Sequence, residues 1–139
     1  MRRLIAALLG LFLIATQAQA EPNGEEKALF RQIISDQMSA FRADDAAAAF
    51  AFASPSLQAK FGKAETFLEM VRSGYAPVYR PRSVEFRDPF DRAGATEQPV
   101  FVIGPDSRAY LAHYIMERQP DGAWRISGCF LERIQDESV

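Results

Sequence analysis

The fold class of this chain follows most directly from RAYLAHYIMER, residues 108–118. Successive side chains of an extended strand point to opposite faces, so alternate residues of this segment share a face. One face carries Tyr110, Ala112, Tyr114 and Met116, and the other carries Leu111, His113, Ile115 and Glu117. Both sets are largely apolar, which is typical of a central strand covered on each side. We expect helices on one side and a pocket wall or a partner subunit on the other.

Three more strands are predicted around this segment, over residues 83–90, 97–103 and 124–133. The turns between the strands are marked by residue types that tight turns favour, namely Ala93-Gly94, Pro105-Asp106 and Pro120-Asp121-Gly122. Strands joined directly by short turns pair antiparallel. The second half of the chain is therefore predicted to form an antiparallel sheet of about four strands.

Helices are predicted for the first half of the chain. Residues 25–42 have the apolar spacing of one helix face, with Phe30, Ile33, Ile34, Met38 and Phe41. Asp44 and Asp45 offer N-cap chemistry for an alanine-rich helix over residues 46–53. Ser54-Pro55 opens a short helix that ends at Gly62, and a further helix spans residues 64–73. Helices followed by antiparallel strands predict an α+β fold, with the helices packed on one face of a curved sheet.

The segment between the last helix and the first strand, residues 75–81, contains two prolines and is predicted to be an extended connector. Tyr75 and Tyr79 offer rigid amphipathic surface, and Arg80 beside them is suited to clamping a carboxylate or a phosphate. These three residues, together with Tyr114, are the predicted ligand-binding residues. The alternative is a connector strapped over the core, with the tyrosine rings closing the hydrophobic layer and Arg80 in solvent.

Six short motifs, spread over nearly all of residues 21–139, carry a family resemblance. They are Phe41-Arg42-Ala43-Asp44-Asp45, Phe52-Ala53-Ser54-Pro55-Ser56, Met70-Val71-Arg72-Ser73-Gly74-Tyr75, Val78-Tyr79-Arg80-Pro81, Tyr114-Ile115-Met116 and Trp124-Arg125-Ile126-Ser127-Gly128. In these motifs the chain resembles the bacterial exported family called domain of unknown function 4864. The order of the elements resembles the wider nuclear-transport-factor-2-like superfamily of cone-shaped α+β folds. That superfamily includes isomerases, dehydratases, epoxide hydrolases and members that only bind, so the resemblance implies a pocket in the mouth of the cone and no catalytic residue.

The first twenty residues have the features of a cleavable signal peptide. Arg2 and Arg3 precede an apolar run over residues 4–15, and Ala18-Gln19-Ala20 supplies small residues for cleavage before Glu21. The apolar run is shorter than the roughly 20 residues that a membrane-spanning helix needs. We expect a periplasmic or secreted protein whose residues 21–139 form one domain, without stable membrane insertion after cleavage.

The charge and the missing motifs exclude several classes of function. Residues 21–139 carry 14 basic and 18 acidic side chains, a net charge of −4, with no basic run for phosphate contacts. We therefore expect no nucleic-acid partner. The sequence has no glycine-rich phosphate loop, no nucleophile elbow and no metal-ligand cluster. Neither a cofactor nor a metal ion is expected.

His113 and Glu117 are the candidates for catalysis. His113 is the only histidine, and Glu117 lies on the same strand face, where a carboxylate can orient an imidazole for general-base chemistry. The alternative is a half-buried structural histidine, with Glu117 close to the solvent-exposed end of the strand. The turn at Asp121-Gly122 would bring His113 opposite either Cys129 or Phe130. A His–thiolate pair is possible only in the first register, and the simpler role for Cys129 is a small buried residue.

Three functions are compatible with these features. The leading hypothesis is an exported small-molecule-binding or accessory module with a small apolar pocket, for which a homodimer formed through the open sheet face is one arrangement. One alternative is a cofactor-free hydrolase or isomerase in which His113 and Glu117 transfer protons. The other alternative is a structural domain of the cell envelope whose sheet face binds another protein.

Overall fold

The helices precede the strands along the chain, as predicted. A computed structural model describes residues 21–135. Its helices are α1 (Gly24–Arg42), α2 (Ala46–Ala51), α3 (Pro55–Phe61), α4 (Ala64–Gly74) and α5 (Ala76–Tyr79). Its strands are β1 (Ser83–Phe86), β2 (Phe90–Arg92), β3 (Ala95–Ile103), β4 (Ala109–Arg118) and β5 (Trp124–Arg133). The predicted α+β fold is confirmed, and the predicted signal peptide lies outside the described residues.

Side-chain caps fix where the first three helices begin. The Asn23 side chain accepts a hydrogen bond from the Glu26 backbone at 2.9 Å, and the Glu26 carboxylate accepts one from the Asn23 backbone at 3.3 Å. This reciprocal pair satisfies two donors that a helix start leaves open. Asp45 and Ser54 cap α2 and α3 in the same manner, each accepting from the backbone three residues along. The capping roles predicted for these two residues are confirmed.

The prediction of an extended connector was wrong for residues 76–79, which form the short helix α5. Pro77 lies in the first turn of that helix, where the missing N–H has no helical partner to lose. The helix ends at Arg80, which has φ −141° and ψ 63°. A residue that precedes a proline is disfavoured in the helical region, so Pro81 accounts for that end.

The strands form one antiparallel sheet in the order β1-β3-β4-β5, and β2 also pairs with β3. The position of β4 between β3 and β5 confirms that it is a central strand. The single strand predicted over residues 83–90 is divided into β1 and β2. Pro89 has no N–H to donate to a ladder, which explains why pairing stops before β2 begins.

One face of the sheet, called here the inner face, packs against the helices. Tyr114, Met116, Val100 and Ile126 are buried on this face. They form a single hydrophobic cluster with buried side chains of α1, α4 and α5, including Phe30, Ile34, Phe41, Phe67, Val71 and Val78. The opposite, outer face is less well covered, because Leu111, His113 and Ile115 remain partly exposed.

A β-bulge in β5 sets which side chains reach each face. Near the turn, Glu117 lies opposite Arg125, and this register continued unchanged would bring His113 opposite Cys129. The register shifts by one residue between Ile115 and Met116, with Ser127 as the extra residue. His113 therefore lies opposite Phe130 on the outer face, and Cys129 lies opposite Tyr114 on the inner face. The second of the two predicted registers is the one observed.

Candidate functional site

A cavity of about 360 Å³ lies between the helices and the inner face of the sheet. Most of its lining is apolar and comes from α1, α3, α4 and α5, including Phe41, Leu57, Phe61, Phe67, Val71 and Val78. The polar groups that line it belong to Gln37, Lys60, Tyr75, Tyr114, Ser127 and Cys129. This size and composition match small-molecule sites, which are mostly apolar with a few polar groups.

The hydroxyl of Tyr114 is the most unusual group in this wall. Tyr114 is only 1% exposed, and its hydroxyl has no hydrogen-bond partner within residues 21–135. Buried polar groups in proteins are almost always paired, and an unpaired one costs about 1–3 kcal/mol. Gln98, directly opposite Tyr114 on β3, is also buried and has an unpaired Oε1, although its Nε2 donates to two backbone carbonyls. The inner face therefore contains two unsatisfied polar groups, and of the two residues Tyr114 lines the cavity.

Cys129 lies on the other side of Tyr114, across the β4–β5 pairing. The residue as a whole is partly exposed because β5 is an edge strand, but its thiol is buried. Burial raises the pKa of the thiol to about 12, and the adjacent Tyr114 hydroxyl opposes this shift only in part. The group is therefore a neutral thiol at physiological pH and a poor nucleophile. Burial likewise raises the pKa of Tyr114 well above its ordinary value, with a smaller contribution from Cys129.

Gln37 and Lys60 occupy contrasting positions in the lining. The Gln37 side chain is buried, and its Nε2 donates to the carbonyl oxygen of Ala49 at 3.2 Å. Lys60 is exposed, and its ammonium lies 5.6 Å from the centre of the Phe61 ring. Among the residues that line the cavity, Lys60 is the one with a full charge at neutral pH, and its exposure places that charge at the solvent side.

His113 is on the outer face of the sheet and takes no part in the cavity. Its Nδ1 is 2.6 Å from a carboxylate oxygen of Glu97, and its Nε2 is 2.8 Å from one of Glu132. The ring stacks on Phe130 with centroids 4.3 Å apart and an interplanar angle of 8°. Both ring nitrogens are therefore within hydrogen-bond distance of a carboxylate in this arrangement.

The two carboxylates approach His113 from opposite edges of its ring, so they do not converge on one ion. Within residues 21–135, no group of three or more His, Cys, Asp or Glu side chains is placed to hold a metal. No helix in the same range combines the length and apolarity that crossing a bilayer requires.

The comparison with protein families gives one match. Residues 23–139 match the family described as Domain of unknown function (DUF4864). The chain belongs to this family. The match includes every helix and strand described above. Neither the curated proteins nor the solved structures contain a significant match to it.

The predicted ligand-binding residues of this DUF4864 domain are divided between two places. Tyr75 and Tyr114 line the cavity, whereas Tyr79 and Arg80 do not. The Tyr79 hydroxyl donates to Asp44, and Arg80 donates to the Phe41 carbonyl at 2.6 Å and to Asp44 at 3.3 Å. The guanidinium also lies 3.9 Å from the centre of the Tyr79 ring. Arg80 thus binds the carboxyl end of α1, where a cation complements the helix dipole.

Asp44 is the centre of this second group of residues. Its backbone has φ 52°, a left-handed conformation that aspartate tolerates better than most residues. The hydrogen bond from Tyr79 lowers the pKa of its carboxyl, and the charges of Arg80 and Arg72 act in the same direction against partial desolvation. This group, Asp44 with Tyr79 and Arg80, joins α5 to the end of α1. The guanidinium of Arg80 donates its hydrogen bonds to other residues of the protein.

Glu117 lies at the exposed end of β4, opposite Arg125, and accepts a hydrogen bond from Gln119 at 3.0 Å. The partners of His113 in the DUF4864 domain are Glu97 and Glu132, neither of which was singled out from the sequence. Strand alternation identifies the face on which a residue lies, but it does not identify the neighbour across the sheet. Gln37 was also missed, because a glutamine within an amphipathic helix gives no signal that its side chain is buried.

Proposed function

We propose that this DUF4864 domain binds a small, mostly apolar molecule in the cavity between its helices and the inner face of its sheet. The observation that supports the proposal is the unpartnered Tyr114 hydroxyl in the wall of a largely apolar space. Its volume of about 360 Å³ lies within the roughly 300–1,000 Å³ of known ligand sites. A ligand that accepts a hydrogen bond from this hydroxyl removes the free-energy cost of leaving it buried and unpaired. That gain adds to the gain from burying the apolar part of the ligand.

The compartment proposed for this function is the periplasm or the extracellular space. The support comes from the signal-peptide features of residues 1–20. An exported binding module with no charged group deep in its cavity is suited to an uncharged ligand. We propose that the domain acts as a binding or accessory component.

Native mass spectrometry of the protein purified after expression of the full-length chain tests the proposal. We expect a discrete added mass that is lost when the protein is partly unfolded. The Tyr114→Phe variant should retain less of this mass, because it lacks the hydroxyl and keeps the shape of the side chain. Tyr79→Phe is the matched control, since Tyr79 lies outside the cavity lining. An unchanged added mass in both variants would place the ligand elsewhere.

A protein-interaction role is the second candidate, and exposure on the outer face favours it. Phe130 is 50% exposed beside the partly exposed Leu111 and Ile115. The outer edge of β5 is paired at Ile126, through a bridge to Ala53. A sheet face of this kind is suited to a second copy of the chain or to an envelope protein.

The enzyme alternative has less support from the geometry. His113 is engaged by two carboxylates on the outer face, while the cavity opens from the inner face. Proton transfer by His113 and Glu117 therefore requires a substrate that displaces Glu132, the more exposed partner of the ring. Turnover of any substrate that survives in Tyr114→Phe and is abolished in His113→Gln would revive this alternative.

A further inference from the structure

We infer that the cavity selects a ligand with an uncharged carbonyl group, whose oxygen accepts hydrogen bonds from the Tyr114 hydroxyl and the Cys129 thiol. The inference rests on the proposed function, since it requires a ligand in this cavity. It adds the chemical class of that ligand, namely a ketone, aldehyde, ester or amide of small size with an apolar body.

The first step of the argument is the placement of the two donors. Tyr114 and Cys129 lie directly opposite each other on β4 and β5, both on the inner face, and both line the cavity. Directly opposed residues have their Cβ atoms about 4.5–5.5 Å apart. Two polar groups carried by such a pair can reach the same oxygen atom, because a carbonyl oxygen has two lone pairs.

The second step is their protonation. Burial holds both groups in their neutral forms, with the pKa of Cys129 raised to about 12 and that of Tyr114 raised well above its ordinary value. Both therefore carry a hydrogen to donate at physiological pH. Within residues 21–135 the Tyr114 hydroxyl has only the Cys129 sulfur, a weak acceptor, beside it and makes no hydrogen bond of good geometry, so its hydrogen is the one that most needs a partner. The complementary ligand group is an acceptor.

The third step concerns charge. Lys60 is the charged residue of the lining, and it is exposed. An ionised carboxylate placed against Tyr114 would lose its hydration without gaining a cation, which is strongly unfavourable. A carbonyl oxygen accepts the same hydrogen bonds at a much smaller desolvation cost. The cavity should therefore discriminate between a carbonyl compound and a carboxylate of similar size.

Three probes with one aromatic ring and nearly the same size test the inference: acetophenone, ethylbenzene and benzoate. Their dissociation constants are measured by NMR titration with the protein purified after expression of the full-length chain, and with its Tyr114→Phe, Cys129→Ala and Tyr79→Phe variants. The informative quantity is the ratio of the acetophenone and ethylbenzene constants within one protein. Differences between the proteins in this ratio are independent of how the two probes partition from water.

We expect Tyr114→Phe to shift this ratio about fivefold toward ethylbenzene, as the loss of one hydrogen bond of ordinary net strength implies. Cys129→Ala should shift it less, since a thiol is a weak donor. Tyr79→Phe should leave it unchanged. The infrared carbonyl stretch of bound acetophenone should lie at lower frequency in the wild-type protein than in Tyr114→Phe.

The possible outcomes separate the two proposals. If both probes bind and the ratio is the same in Tyr114→Phe, the carbonyl inference is overturned while the cavity remains a binding site. If benzoate binds the wild-type protein more tightly than acetophenone, the selection for an uncharged group is overturned. If no probe binds, both proposals fail. Should Tyr114→Phe not fold, a carbonyl stretch in the wild-type protein equal to that in an alkane solvent would overturn the inference.

Discussion

At the scale of single residues, the Tyr114–Cys129 pair links the chemistry of the cavity to the stability of the fold. Each group is neutral and buried in the folded protein, and each ionises more readily when the chain is unfolded. The raised pKa values of Tyr114 and Cys129 have a measurable consequence. A proton that the folded state holds and the unfolded state has lost makes the free energy of unfolding depend on pH.

We predict that the free energy of unfolding falls as the pH rises above about 9, the ordinary value for a thiol. The folded pKa of Cys129 is raised to about 12, so its contribution is complete below pH 9 and is lost as the pH rises toward 12. One such group changes stability by up to about 1.4 kcal/mol per pH unit. Urea titrations between pH 8 and 11 should give a shallower decline for Cys129→Ala than for the wild-type protein. Equal declines would show that the thiol is not buried in solution.

Residue-level prediction from the sequence succeeded where the chemistry is local and failed where it depends on a partner. Asp45 and Ser54 were identified as caps because a cap acts on a backbone group three residues away. The partners of His113 were not identified, since Glu97 and Glu132 are 16 and 19 residues away from it in sequence. Arg80 was placed in the ligand site or in solvent, and neither interpretation included the carbonyl end of α1, 39 residues earlier.

At the scale of the elements, helix α1 combines a strong start with an apolar face that contributes much of the core. The reciprocal hydrogen bonds between Asn23 and Glu26 fix its first turn. We predict that Asn23→Ala lowers the free energy of unfolding by about 1 kcal/mol, the usual effect of losing an N-cap. Asn23→Asp is the control, since aspartate is an equally good cap and favours the helix dipole. Chemical unfolding of the three proteins measures the difference, and equal stabilities would contradict the capping role.

Two elements differ from their predicted form, the connector over residues 75–81 and the strand over residues 83–90. In both cases the effect of a proline was predicted incorrectly. Pro77 was taken to exclude a helix, but it occupies the first turn, where a proline is tolerated. Pro89 was included in a strand, but the strand is interrupted before β2. The effect of a proline depends on its position within an element, and element boundaries are the least certain part of a sequence-based assignment.

At the scale of the whole molecule, the sheet separates two surfaces with different properties. The inner face borders the cavity, and the outer face presents Phe130 beside His113 to solvent. The order of helices and strands was enough to predict that one sheet face is buried under the helices. The pocket wall expected on the opposite face was placed wrongly, because the cavity lies between the helices and the inner face. The cavity itself required the three-dimensional arrangement, since its lining comes from residues as distant as Gln37 and Cys129.

The second candidate function predicts a homodimer that buries the outer face. Phe130→Ser should reduce the dimer to a monomer in sedimentation experiments, because it removes the most exposed aromatic side chain of that face. Leu29→Ser is the matched control, since Leu29 is 41% exposed on α1. A dimer that persists in Phe130→Ser and dissociates in Leu29→Ser would move the contact to the helices.

The bulge at Ser127 decides which residues of β5 lie on each face of the sheet. Deleting Ser127 would leave a regular strand with the same cross-strand pairs, Cys129 with Tyr114 and Phe130 with His113. A slip in which Ser127 instead enters the ladder opposite Ile115 would turn Cys129 outward beside His113 and direct Phe130 into the core. The register at Ser127 therefore decides whether the neighbour of His113 across the strands is a phenyl ring or a thiol.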